Sequence, residues 1–166
     1  MDAKAELVEM LPKLRRFALG LTGAPDRADD LVQAACLKAL ERWHQWRPGT
    51  SLRSWLFRIV QTTWIDQKRF DARRPTTSEE SVLHSIADDA QSGAPELKRL
   101  LGEVMEEVLK IPEDQRVALL LVTVEGLSYQ EAADCLQVPI GTVMSRLSRA
   151  RRRLADRFGG VGLLGA

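Results

Sequence analysis

The 166-residue sequence is poor in the side chains that build metal sites and disulfides, with only two cysteines and two histidines. Cys36 and Cys135 lie far apart, and neither belongs to a Cys-x-x-Cys pair or a Cys/His cluster. His44 and His84 are isolated as well. We therefore expect no disulfide, no metal site and no other cofactor, and we expect both cysteines to be small core or near-core residues.

Long apolar runs are also missing. The longest one extends from Val117 to Val124 with a single threonine in it, far short of the about 20 apolar residues that span a bilayer. The N-terminal residues are acidic and amphipathic, without a positively charged lead into an apolar stretch, so no signal peptide is visible. These observations predict a cytoplasmic protein without a membrane-inserted segment.

Catalytic patterns are missing too. The sequence shows no nucleophile–base pair, no paired carboxylates and no glycine loop of the kind that cradles phosphates. The glycines near the C-terminus fall in a tail, residues 159–166. We expect no enzyme activity.

Charge is strongly segregated along the chain, although the formal net charge is only +1. Basic residues outnumber acidic ones by 14 to 9 in residues 1–75 and by 6 to 1 in residues 141–166. Acidic residues outnumber basic ones by 13 to 4 in residues 76–140. Two basic blocks separated by an acidic one indicate two places where a polyanion such as nucleic acid can bind.

Apolar residues recur at helical spacing along most of the chain, and no β-type alternation persists. Pro12 lies inside the first periodic segment and predicts a kink or a late helix start there. Pro112 is expected to occupy the first position of a later helix. Thr50 or Ser51 can cap the third helix, whose apolar face begins at Leu52.

Composition changes sharply near residues 75–95, where Pro, Ser, Thr, Gly and acidic residues replace the periodic pattern. We therefore predict an all-α fold of two small helical domains joined by a flexible linker, with a helix-turn-helix in the second. The predicted domains are residues 1–75 and 96–158, with the linker at 76–95 and the tail at 159–166. Free in solution, the chain is expected to be a monomer whose tethered modules move relative to each other.

The second domain carries the spacing of a helix-turn-helix. Ser128 and Glu131 have the capping-box spacing that opens a short helix. Residues 137–141 then form a tight turn, and Thr142 is expected to cap a second helix.

That second helix has two opposite faces. Val143, Leu147, Ala150 and Leu154 form an apolar stripe, and no acidic residue occurs on the other positions before Asp156. Hydroxyl and guanidinium groups can reach base edges and phosphates in the major groove. The predicted duplex-DNA contacts are Thr142, Met144, Ser145, Arg146, Ser148, Arg149, Arg151 and Arg152.

The third helix interleaves basic and aromatic residues, an arrangement that suits single-stranded DNA because bases stack on aromatic rings while cations follow the backbone. The same aromatic residues could instead fill a small core. We interpret Trp55 as a core residue, whereas the sequence leaves both roles open for Trp64.

Five strings make the chain resemble the extracytoplasmic-function (ECF) sigma factors of bacterial RNA polymerase, in the sigma-70 family. They occur in the family's order and spacing, and the resemblance covers residues 5–158. The strings are Asp29-Asp30-Leu-Val-Gln33; Ser54-Trp-Leu-Phe-Arg-Ile59 with Asp66; Ile111-Pro112 with Arg116; Gly126-Leu-Ser-Tyr-Gln-Glu-Ala-Ala133; and Gly141-Thr-Val-Met-Ser-Arg-Leu-Ser-Arg-Ala-Arg151.

The resemblance implies that residues 1–75 are sigma region 2 and residues 96–158 sigma region 4. Core polymerase would dock on the surface of Asp29, Asp30 and Gln33. The last helix would read the minus-thirty-five element of the promoter. The third helix and the preceding loop would bind the minus-ten element through Trp46, Arg47, Arg58, Gln61, Thr62, Ile65, Asp66, Lys68, Arg69 and Arg73.

On this resemblance the chain is an alternative sigma factor, active in a stress or envelope response and controlled by an anti-sigma factor that clamps both modules. The chain departs from the family pattern at Ala34-Ala35-Cys36, where an acid and an aromatic are common, and core docking should survive that change. Two further departures are Thr62, which replaces a common Asn, and Met144, which replaces a common basic residue. Both would face DNA, so both bear on promoter preference.

Two other functions remain open. A sigma-like mimic would sequester an anti-sigma factor without engaging promoters, and it predicts an eroded recognition helix. A stand-alone helix-turn-helix regulator would need a ligand pocket or a dimer interface, for which the basic and aromatic third helix is a poor lining.

Overall fold

The computed structural model describes residues 2–73 and 94–159, and within these ranges it contains helices and turns but no strand. This confirms the predicted all-α class. Most of the predicted linker, residues 76–93, and the tail beyond residue 159 lie outside the described residues. The helices are α1 Ala3–Thr22, α2 Pro25–Glu41, α3 Leu52–Ala72, α4 Pro95–Lys110, α5 Glu113–Leu119, α6 Tyr129–Leu136 and α7 Ile140–Phe158.

The helices of the first module begin at residues suited to helix starts. The Asp2 side chain accepts from the Lys4 amide at 3.3 Å, and the Ser51 side chain accepts from the Ser54 amide at 3.1 Å. Pro25 is the first residue of α2, where its missing N–H costs no hydrogen bond. Of the two outcomes predicted at Pro12, a kink or a late helix start, the late start is wrong, because α1 already begins at Ala3 and runs through that proline.

The second module departs from the expected pattern at two points. Pro112 is the cap of α5 and not its first residue, which is Glu113. After Leu119 the helix widens into a π turn over Leu120–Val124, in which the Glu125 amide donates to the Leu120 carbonyl at 2.9 Å. This wider turn sets the direction in which the chain leaves α5.

The two modules pack against each other and share one continuous apolar core. α1 lies against α5, and a Cβ added to Gly20 would stand 2.6 Å from Cδ1 of Leu120, so glycine allows the two helices to approach closely. The Arg116 guanidinium of α5 donates to the Leu21 carbonyl of α1 at 3.2 Å. The sequence led us to expect modules that move independently, whereas the structure shows them docked.

Two groups of apolar residues within the periodic stripes stay exposed. Leu11 and Leu40 of the first module are 37% and 49% exposed. On α4, Leu97, Leu100 and Leu101 are exposed by 40% or more of their surface. Among the described residues, no helix is both long and apolar enough to cross a bilayer.

We predict that Gly20→Ala lowers the free energy of unfolding by about 1 kcal/mol, because the added methyl group crowds the buried Leu120 side chain. Gly102→Ala is the matched control, since a Cβ at this helical glycine meets no atom within 4 Å. That control should gain roughly 0.5–1 kcal/mol from helix propensity. Urea unfolding followed by circular dichroism measures both, and equal effects of the two variants would contradict the close packing.

Candidate nucleic-acid interface

The turn before α7 places the start of that helix earlier than the sequence predicted. Gln137 adopts a left-handed conformation with φ of 56°, and Pro139 caps α7, whose first residue is Ile140. The predicted cap at Thr142 is therefore wrong, because this residue already lies within the first turn. The fixed φ of Pro139 suits a residue that leads into a helix.

The face of α7 that is predicted to read duplex DNA is open to solvent. The apolar stripe of Val143, Leu147, Ala150 and Leu154 is buried, as predicted. Thr142, Arg146 and Arg151 are half-buried at the edges of the helix. The exposed members of the predicted set are Met144, Ser145, Ser148, Arg149 and Arg152.

A capping box fixes α6, the helix that precedes the turn. The Ser128 side chain accepts from the Glu131 amide at 3.0 Å, and the Ser128 amide donates to Glu131 Oε1 at 3.0 Å. The second oxygen of Glu131 accepts from the Ser54 hydroxyl of α3 at 3.3 Å, and Arg53 lies 3.7 Å away. The hydrogen bond from the Ser128 backbone is the main cause that lowers the pKa of Glu131.

Most of the predicted minus-ten residues in α3 and beside it fall into two groups, and Lys68 is half-buried. Arg47, Arg69 and Arg73 are exposed, and so is Asp66, which accepts from Lys38 at 3.5 Å. The other group lines a cleft of about 410 Å³ between α3 and the second module. Its members are Arg58, Gln61, Thr62 and Ile65.

The second module forms the opposite wall of this cleft. Its residues come from α5, from the end of α6 and from the start of α7. Gln61 is only 9% exposed, and its Oε1 has no hydrogen-bond partner among the described residues. The opposite wall comprises Glu113, Asp114, Val117, Cys135, Leu136, Gln137, Val138 and Arg146.

Trp64, for which the sequence left two roles open, is buried, with 5% of its surface exposed. Its indole Nε1 donates to Glu113 of the second module. The guanidinium of Arg27 and the ammonium of Lys68 lie 5.0 Å and 5.6 Å from its ring centroid. In this arrangement the ring is a packing element and not an open stacking surface.

The other tryptophans form one cluster beside the loop that leads to α3. The Trp43 ring lies 5.9 Å from Trp46 and 5.8 Å from Trp55, in an edge-to-face contact with the latter. Trp46 is half-buried, and its Nε1 has no partner among the described residues. Trp55 is half-buried like Trp46 and packs against the edge of the apolar core, so it is only in part the core residue interpreted from the sequence.

The predicted polymerase-binding residues lie together on an exposed part of α2. Asp29, Asp30 and Gln33 are all exposed, and the Arg15 Nε donates to Asp29 Oδ1 at 2.8 Å. An apolar groove of about 690 Å³ runs beside Asp29 and Gln33. Its apolar lining is Leu11, Pro12, Val32, Cys36, Leu37 and Leu40.

This groove was not anticipated from the sequence. Leu37 and Leu40 are 62% and 49% exposed. One feature of the sequence does indicate such a groove. The apolar residues of α2 form a stripe that is wider than the single face a helix needs to bury.

Glu125 is a second feature that the sequence analysis missed. Its side chain is fully buried, and Arg16 of α1 donates a hydrogen bond to each of its carboxylate oxygens. The distance is 2.6 Å from Nη2 to Oε1 and 3.2 Å from Nε to Oε2. The hydrogen bond to Glu125 raises the pKa of Arg16. Arg53 of α3 donates to the Glu125 and Gly126 carbonyls, each at 3.4 Å.

Comparison with known proteins assigns a family to each half of the chain. Residues 7–61 match the family described as "Sigma2 domain of PhyR". Residues 101–154 match the family "Sigma-70, region 4". Over 151 residues the chain is 38% identical to the ECF RNA polymerase sigma factor EcfG of Rhodopseudomonas palustris, covering 90% of this chain and 81% of that protein.

The chain belongs to the ECF sigma factors. It is also 32% identical over 139 residues to the ECF RNA polymerase sigma-E factor of Escherichia coli, covering 77% of this chain and 72% of that one. The family resemblance inferred from the five strings is confirmed.

Solved structures agree with this assignment. The sigma factor RpoE of Bartonella quintana, in complex with the anti-sigma factor NepR, superposes with a TM-score of 0.77 at 32% identity. The match covers 94% of this chain and 96% of that chain. PhyR of Bartonella quintana, described as an anti-anti-sigma factor, matches with a TM-score of 0.61 at 17% identity, which shows a shared fold.

We predict that the capping box makes this ECF sigma factor less stable in acid. The pKa of Glu131 is lowered in the folded state, so its stabilising contribution is present above the unfolded-state pKa of about 4.3. This stabilising contribution is lost as the pH falls through the lower pKa that Glu131 has in the folded state.

The measurement is urea unfolding as a function of pH below 5. Glu131→Gln should reduce the decline of unfolding free energy because the amide does not titrate. Asp134→Asn, at an exposed position on the same helix, is the control and should leave the decline almost unchanged. Equal slopes for Glu131→Gln and the unmodified protein would contradict the prediction.

Proposed function

We propose that this sigma factor works in the cytoplasm, binding core RNA polymerase and directing it to promoters without catalysing a reaction itself. The observation that carries the proposal is the open face of α7, on which exposed hydroxyl and guanidinium groups stand opposite a buried apolar stripe. An eroded recognition helix would not retain this arrangement.

The minus-thirty-five element would be read by α7 in the major groove. Ser145, Ser148 and Arg149 occupy the centre of the exposed face, where direct contact with base edges is feasible. Ser145 also donates to the Thr142 carbonyl at 3.0 Å, which orients its oxygen. Arg152 and Arg153, farther along the helix, would hold phosphates.

The minus-ten element would be bound by the basic face of α3 together with Trp46 and Arg47 in the preceding loop. Arg69 and Arg73 are already exposed for contact with the DNA backbone. The half-buried Trp46 offers an aromatic surface for an unpaired base.

Core RNA polymerase would dock on α2 through Asp29, Asp30 and Gln33. The adjacent apolar groove supports this assignment, because a protein interface commonly combines an apolar centre with a polar rim. The exposed Leu37 and Leu40 would supply that centre.

An anti-sigma factor is the expected regulator. The related RpoE of Bartonella quintana was solved in complex with NepR, an anti-sigma factor, and this chain matches it over nearly its whole length. A protein that grips both modules would withhold their DNA-binding faces at once.

A sigma-like mimic is the second candidate, because residues 7–61 match the "Sigma2 domain of PhyR". Such a protein would bind an anti-sigma factor but neither core polymerase nor promoters. The intact face of α7 and the match to EcfG over 90% of the chain favour the sigma factor.

Run-off transcription with purified core polymerase and a library of promoter templates distinguishes a sigma factor from a sigma-like mimic. We expect specific transcripts only in the presence of the protein, and their aligned upstream sequences should reveal both recognised elements. Binding to an anti-sigma factor without binding to core polymerase would establish the mimic instead.

We predict that Arg149→Ala costs about 1–3 kcal/mol of discrimination between the selected promoter and a scrambled one. Arg153→Ala, at an exposed position farther along α7, should weaken binding to both sequences evenly. It should also reduce the salt dependence of binding by roughly one unit. Fluorescence anisotropy with labelled duplexes at several salt concentrations measures the sequence discrimination and the salt dependence of each variant. Unchanged sequence preference in Arg149→Ala would show that α7 reads bases with another face.

A further inference from the structure

The exposed face of α7 carries two large apolar side chains. Ile140 and Met144 keep 42% and 50% of their surface exposed. The structure describes all of α7, and every other exposed residue of this helix is polar, charged or no larger than alanine. A single exposed apolar residue is ordinary on a protein surface. The position of these two on the helix is what points to a function.

Ile140 and Met144 lie in line with residues assigned to DNA. Ile140, Met144, Ser148 and Arg152 follow one another at every fourth residue, so they form one row along α7. All four are exposed. In a helix-turn-helix the N-terminal part of the second helix contacts the base edges. A helix placed so that Ser148 reaches a base therefore brings Met144, one turn closer to the N-terminus, against a neighbouring base pair.

The chemistry of these side chains fits one group in the major groove. Neither side chain can donate a strong hydrogen bond, and a polar base edge pressed against them would lose water without compensation. The apolar group on the base edges of the major groove is the 5-methyl group of thymine. The unbranched thioether of Met144 adapts its shape to such a small apolar contact.

A protein partner fits this patch less well. A stable protein interface takes about 20–30 residues from each side, whereas the apolar patch comprises two side chains. Arg149 and Arg152 lie on the same exposed face, and neither has an acidic partner among the described residues. This positive border is complementary to the phosphates of a duplex.

We propose that Met144, together with Ile140, selects thymine at one position of the minus-thirty-five element through apolar contact with its 5-methyl group. The proposal rests on the assignment of α7 to that element under the proposed function, and it adds the identity of one base. Because Met144 replaces a basic residue that is common in the family, this selection distinguishes the chain from its relatives.

Replacing thymine by uracil tests the contact, because uracil lacks only the methyl group and keeps the same hydrogen-bonding edge. The probe is a labelled promoter duplex recovered by run-off transcription, in which each thymine of the minus-thirty-five element, on either strand, is replaced in turn. Fluorescence anisotropy with the protein assembled on core polymerase gives the ratio of the two affinities. Since this ratio is taken within one variant, a partial loss of folded protein does not change it.

We expect uracil at one position to weaken binding by the unmodified protein about fourfold, the effect of burying one methyl group. Met144→Ala should bring the ratio at that position toward one, and Ile140→Ala should lower it in part. Met144→Leu should retain the preference for thymine because it keeps an apolar contact. Leu97→Ala on α4 is the matched control, at a residue 45% exposed, and should leave the fourfold ratio unchanged.

Equal binding of all thymine and uracil duplexes by the unmodified protein would overturn the proposal, and so would a recovered element that contains no thymine on either strand. An undiminished uracil effect in Met144→Ala would show that another residue reads the methyl group, which also overturns it. The underlying assignment fails separately, if the unmodified protein does not distinguish the recovered element from a scrambled one. Loss of that discrimination in Arg149→Ala without any uracil effect would uphold the assignment and reject thymine selection alone.

Discussion

The ion pair between Arg16 and the buried Glu125 fixes how the second module sits on the first. A fully buried carboxylate is costly unless its charge is met, and Arg16 meets it with two hydrogen bonds from α1. Arg53 of α3 holds the adjoining carbonyls of Glu125 and Gly126. Because Glu125 ends the π turn after α5, these contacts orient α5 against α1 and so determine which part of α3 the second module covers.

Helical periodicity predicted the local structure well because each helix buries a stripe set by its own residues. The all-α class, the box of Ser128 and Glu131 and the buried stripe of α7 followed from spacing alone. Spacing left Thr50 and Ser51 open as the cap of α3, and the structure shows Ser51. Errors arose at proline. The sequence could not distinguish Pro112 as a cap from Pro112 as a first helical residue, since both positions tolerate its missing N–H. Thr142 was misplaced because Pro139 had already begun the helix.

The docking of the modules could not be predicted, because it depends on residues whose partners lie about a hundred positions away. Glu125 follows an apolar run and resembles any solvated acid in sequence, yet its partner Arg16 lies on the first helix. Gly20 lets Leu120 approach α1 closely, and nothing local in the sequence points to that distant partner. For the same reason nothing in the sequence showed that Gln61 would be buried beside the second module or that Lys68 would pair with Glu113 of that module.

The segregation of charge acquires a more specific meaning in this structure. The sequence showed an acidic block between two basic ones. In the folded chain, three of its acids, Glu113, Glu125 and Glu131, contact Lys68, Arg16 and Arg53 of the basic first module. An acidic block on the same chain is present at a high effective concentration, so it can compete with a polyanion for a basic surface although each pair is weak. On α7, Arg146 pairs with Asp114 and Arg157 with Glu107, whereas Arg149 and Arg152 on the exposed face have no acidic partner among the described residues. The two basic blocks therefore differ: the exposed face of α7 is open to solvent, whereas on α3 Gln61 is buried beneath the second module and Lys68 is paired with its Glu113.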